Sequence, residues 1–69
     1  MILNISDKGV NILVENASEV RVEKAGVNYS LSYTTSLGQF KVLKLKKDVK
    51  ISAWIGVGEG GWQDLKRGI

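Results

Sequence analysis

Any chemistry in this chain rests on lysines and aromatic rings, because its 69 residues include no histidine and no cysteine. The densest group is basic. Lys41, Lys44, Lys46, Lys47 and Lys50 lie close together, opposed only by Asp48, with Phe40 and Trp54 on either side. Small barrels bind single-stranded nucleic acid with such a surface: ammonium groups meet phosphates, and bases stack on rings. Phe40, Lys44, Lys46, Lys50 and Trp54 share strand parity, so a hairpin paired without interruption would set them on one face. The run holds no arginine, which weakens bidentate reading of phosphates or base edges. An acidic protein partner suits the same patch. So does a plainer role, in which solvated lysines keep a strand edge from pairing with other chains.

A second candidate group closes the sequence. Trp62, Leu65 and Ile69 recur at i, i+3 and i+7, the spacing of one helix face. A helix this short does not hold alone in water. The segment is therefore expected either to clasp the domain as a single turn or to stay mobile until a partner orders it. Trp62 is the candidate anchor, because aromatic side chains dominate interface energetics.

Gly56, Gly58 and Gly61 spell G-x-G-x-x-G after a predicted strand. In a dinucleotide-binding unit those glycines cradle a pyrophosphate at a helix N-terminus. The residues that follow leave no room for that helix or for a second parallel strand. A flexible linker is expected, with no nucleotide cofactor. Catalysis is poorly supplied as well. Asp7, Glu15, Glu19 and Glu23 show no spacing that would converge two carboxylates in a cleft. With imidazole and thiolate both missing, no metal site is expected. The chain reads as a non-enzyme without cofactors.

These side chains must be positioned by strands. A two-residue alternation recurs along the chain, and period two is that of a pleated strand with one buried face. Strands are predicted at Ile2 to Ser6, Val10 to Glu15, Glu19 to Lys24, Val27 to Thr34, about Gln39 to Leu45, and Val49 to Ile55. Val10, Ile12 and Val14 form one expected core face. Val27, Tyr29, Leu31 and Tyr33 form another, and Val49, Ile51, Ala53 and Ile55 a third. The fifth strand changes phase, from Phe40 and Val42 to Leu43 and Leu45, which suggests a bulge or burial on both sides. Turn residues separate the strands at Asp7-Lys8-Gly9, Asn16-Ala17-Ser18 and Lys24-Ala25-Gly26. Lys46-Lys47-Asp48 is a turn without glycine. Six short strands so spaced predict an all-β fold, a small antiparallel barrel or sandwich of five to six strands with a Gly-rich C-terminal tail. The domain is expected at residues 1–55, with linker and tail at 56–69.

Size narrows the function. A single domain of this length has a marginal core, and without disulfides or a metal the staple left open is self-association. A homo-oligomer is expected. The net charge of +3 is modest and concentrated in the lysine run. No signal peptide or membrane span is read, and the absence of cysteine suits a reducing cytoplasm. The expected function is a non-enzymatic protein-interaction module: a small accessory or inhibitor-like protein, of the sort phages and mobile elements carry. It would bind a partner protein through a sheet face and the tail residues Trp62, Leu65 and Ile69. The alternative is a small nucleic-acid-binding barrel that uses the Lys41 to Lys50 hairpin.

Overall fold

A computed structural model describes residues 1–56 and 60–69. Seven strands follow in chain order: β1 (Ile2–Asp7), β2 (Val10–Val14), β3 (Ser18–Ala25), β4 (Asn28–Thr34), β5 (Phe40–Leu45), β6 (Lys50–Trp54) and β7 (Trp62–Asp64). They form two antiparallel sheets. The first, sheet A, has the order β2-β1-β6-β7, and the second, sheet B, has the order β3-β4-β5. No strand pairing joins the two among the described residues, so the barrel alternative fails: the strands do not close.

Local chemistry explains the hairpins. Asp7 and Val10 are partners, so the first loop is two residues, Lys8 and Gly9. Both have positive φ, 50° and 83°. That is a type I′ turn, whose twist matches the flanking strands. The phrase Gly-Val-Asn recurs at Gly26, with a different outcome. Ala25 pairs with Asn28, so the loop is Gly26-Val27, and only Gly26 has positive φ, at 65°. This is the type II′ arrangement, with glycine first. Gly9 therefore hands Val10 to a strand, whereas Gly26 keeps Val27 in the loop. Val27, expected in the core, is exposed for that reason.

The chain then alternates between sheets. After β2 it crosses to sheet B, and the crossing is pinned where Met1 and Ala17 exchange backbone hydrogen bonds of 2.8 and 2.9 Å. β3, β4 and β5 form a meander. Lys46 to Val49 carries the chain back to sheet A through a turn closed by the Val49 amide on the Lys46 carbonyl, at 3.0 Å. β6 then inserts between β1 and β7. Strands five and six, taken from sequence as one hairpin, thus belong to different sheets. Nor does β5 carry a bulge, since its register with β4 is unbroken. The bulge is in β3, where Glu19 and Val20 together face the space opposite Tyr33, and Glu19 takes φ 53°.

Leu3, Ile5, Ile51 and Ala53 of sheet A share one core with Leu31 and Tyr33 of sheet B, joined by Ala17 and Val49 from the connections. Leu3, Leu31 and Ile51 are fully buried, each contributing about 1.5–3 kcal/mol. The radius of gyration is 11.6 Å, near the roughly 11 Å of a globular chain this long. One expected core face is missing from this cluster. Val10 and Ile12 of β2 are exposed, and only Val14 packs against the core. The core lies under β1 and β6, and β2 flanks it as an edge.

The C-terminal residues also depart from expectation. The helical spacing of Trp62, Leu65 and Ile69 is not realised, because Trp62–Asp64 is a strand paired with β6. A turn follows, fixed by the Lys66 amide on Asp64 Oδ1 at 2.9 Å. Of the G-x-G-x-x-G triplet, Gly58 lies outside the described residues, and so does the middle of the expected linker.

Candidate interaction surfaces

The lysine patch is divided by the fold. Phe40, Val42 and Lys44 stand on the outer face of sheet B, opposite Thr34, Ser32 and Ser30. Lys41 is opposite Tyr33, on the other face of the same edge strand. Lys46 and Lys47 sit at the turn between sheets. Lys50 and Trp54 are on the outer face of sheet A, opposite Ser6 and Ile2. All five lysines are exposed, yet they do not converge. The one-face arrangement required unbroken pairing through Lys46-Lys47-Asp48, and the chain changes sheets there.

Trp54 instead has a neighbour that sequence spacing did not suggest. It is the cross-strand partner of Trp62. The Ile55 amide donates to Gly61 O at 3.0 Å, and the Leu65 amide to Ile51 O at 2.9 Å. Counting from those bonds, Trp54 and Trp62 occupy a non-hydrogen-bonded site, where opposed side chains come closest. Trp54 is in turn opposite Ile2 of β1, on the outer face of sheet A. Of the other tail residues, Leu65 packs against the core and Ile69 is exposed. The three predicted tail contacts therefore do not form one face.

Lys66 fixes this segment. Its ammonium donates to Lys47 O at 2.7 Å and to Val49 O at 2.6 Å. It also lies over the ring of Tyr29 on β4. One cation thereby holds the C-terminal turn to the inter-sheet turn and to sheet B.

Sheet B carries an open depression of about 600 Å³ on its outer face. Ser30 and Ser32 form its floor, between Arg21 and Glu23 on β3 and Phe40 and Val42 on β5. The Arg21–Glu23 ion pair at its wall is 3.4 Å long and solvent-exposed, so it contributes little. No group of three or more acidic side chains among the described residues could hold a metal ion. No helix among them is long and apolar enough to cross a membrane.

The surface that sequence reasoning missed is the β2 edge. Val10, Ile12 and Leu13 are 63%, 55% and 59% exposed. Val10 and Ile12 point to the core side of sheet A, and Leu13 to its outer side, so apolar groups are presented on both faces. Two signals were available in the sequence: Leu13 breaks the alternation, and Val10 to Val14 contains no charge. The other edges differ. β3 carries Glu19, Arg21, Glu23 and Lys24, β5 carries Lys41 and Lys44, and β7 is three residues long and includes Asp64. Charge and shortness are the ordinary protections of a sheet edge, and β2 has neither charge nor cover.

No family model, curated protein or solved structure matches this chain.

Proposed function

We propose that this chain is a non-enzymatic protein-interaction module, a small accessory or inhibitor-like protein that engages a protein partner through the edge and face of a sheet. The observation that carries this reading is the uncharged β2 edge, apolar on both faces, which flanks the core and adds only Val14 to it. An edge strand recognises protein by adding a strand: backbone groups supply affinity and alternate side chains supply specificity. The two sheets serve as a small sandwich scaffold, a reading supported by the core that Leu3, Ile51 and Leu31 share. The tail contributes Trp62 as a strand residue beside Trp54, rather than as a free anchor. Nucleic-acid binding through the lysines is the weaker reading, because Lys44 with Phe40 and Lys50 with Trp54 stand on different sheets.

The test places a photo-crosslinking phenylalanine analogue at Leu13, with a control chain carrying it at the exposed Leu37. The expected result is a discrete protein adduct from position 13 that disappears when Ile12→Lys is added. An adduct pattern identical from both positions would overturn the reading.

A further inference from the structure

Resting on the interaction reading above, we infer that the partner of β2 is a second copy of this chain, paired antiparallel to it about a twofold axis. The argument begins with the backbone. In a two-residue hairpin the residues flanking the loop are a hydrogen-bonded pair. Asp7 with Val10, Ile5 with Ile12 and Leu3 with Val14 are therefore the bonded sites of β1 and β2. The N–H and C=O groups of Asn11 and Leu13 then point away from β1, along the open edge. These are the groups that an added strand must meet.

The sequence of β2 is complementary to itself in one register. With Ile12 opposite Ile12 of the second copy, Val10 meets Val14 and Asn11 meets Leu13. All five residues are paired, and Asn11 and Leu13 exchange the outward-pointing bonds. No charged side chain of β2 is opposed, because it has none. The neighbouring registers are worse. Sliding by two residues one way leaves only Val10, Asn11 and Ile12 within strand–strand pairs, because the chain turns back into β1 before Val10. Sliding by two the other way leaves only Ile12, Leu13 and Val14 within strand–strand pairs. A slip of one residue puts Val10, Ile12 and Val14 opposite residues of the other face. Self-pairing also supplies what the small core lacks. It brings exposed Val10 and Ile12 of both copies together on the core side, and Leu13 of both on the outer side. Such a contact is isologous, so it closes at two copies rather than propagating.

Two measurements on the full chain decide the matter. The first is sedimentation equilibrium from micromolar to millimolar concentration. The unaltered chain is expected to shift from 7.6 kDa to twice that mass, and Leu13→Lys, on an exposed site, is expected to stay monomeric with an unchanged far-UV spectrum. The second uses the absence of native cysteine. Ile12→Cys places two thiols across the twofold axis, at a Cα separation that a disulfide spans. Its oxidation to dimer is expected at least about tenfold faster than that of Leu37→Cys, because pairing raises the effective thiol concentration towards millimolar. A chain that sediments at 7.6 kDa throughout, equal oxidation of the two cysteine variants, or a dimer that persists in Leu13→Lys would each overturn self-pairing. If self-pairing fails while the Leu13 crosslink still captures one discrete foreign protein, the broader reading survives it. If that adduct is missing too, both fall.

Discussion

The ammonium of Lys66 lies 4.6 Å from the centroid of the Tyr29 ring. The two residues are far apart in sequence and belong to different parts of the fold, the C-terminal turn and the central strand of sheet B. Lys66 also donates to the carbonyls of Lys47 and Val49. A segment that reads as a tail is thus held to both sheets, by its pairing with β6 and by this cation.

Removing the cation should loosen that attachment. Lys66→Met keeps the aliphatic stem and deletes the charge. It should cost about 1–3 kcal/mol, the worth of charge-assisted hydrogen bonds plus a cation–π contact. In a domain this small, each kcal/mol lowers the Tm by about 4–8 °C. A double-mutant cycle with Tyr29→Leu should return a coupling of about 0.5–1 kcal/mol. Additive effects would show that the ring contact contributes nothing.

The tryptophan pair predicts a local effect. Trp62→Ala should cost about 1 kcal/mol through loss of the aromatic cross-strand contact. It should also speed amide exchange at Ile55 and Leu65, whose N–H groups bond across β6 and β7, more than at β4. Exchange that rises uniformly over the chain would argue against β7 as a separately opening strand.

Residues of equal parity should differ sharply. Leu31→Ala removes a fully buried side chain and should cost about 2–5 kcal/mol, enough to unfold a marginal domain. Val27→Ala, in the Gly26-Val27 loop, should stay within about 0.5 kcal/mol. Urea denaturation of the two variants compares them directly, and similar losses would contradict the loop assignment.

Two non-glycine residues in left-handed backbone offer stabilising changes. Lys8 occupies the first loop position of the type I′ turn, where asparagine is preferred. Lys8→Asn should raise stability by about 0.5–1 kcal/mol. Glu19→Gly, at the bulge in β3, should gain a similar amount, because a side chain in this region costs roughly 1–2 kcal/mol and glycine's own chain entropy offsets part of the relief. A lower Tm for both would mean that these side chains make contacts outweighing their backbone strain.

How much of this was legible in sequence varies by element. The alternation of Leu31 and Tyr33 and of Ile51 and Ala53 marked buried faces correctly, because strand geometry sends alternate side chains to opposite sides whatever the partner. The all-β class followed from the same period. Trp62 also lies in a strand, but three residues preceded by glycines are too few to display a period, and the helical spacing of Leu65 and Ile69 arose by coincidence. Lys44, Lys46 and Lys50 share parity with Phe40 and Trp54, but a common face required unbroken pairing through Lys46-Lys47-Asp48, and the chain changes sheets there.

Sequence by itself determined the period, the strand class and most strand boundaries, since these depend on local φ/ψ preferences and on turn residues such as Gly9. Tertiary structure decided which strands share a sheet, and so which side chains share a face. It sent β5 and β6 to different sheets and placed Trp54 beside Trp62. It also decided coverage. Val10 and Ile12 carry the same pattern as Leu3 and Ile5, but whether an apolar face is buried depends on what packs over it. That is a property of the second sheet and of the whole molecule, and no local pattern within β2 encodes it.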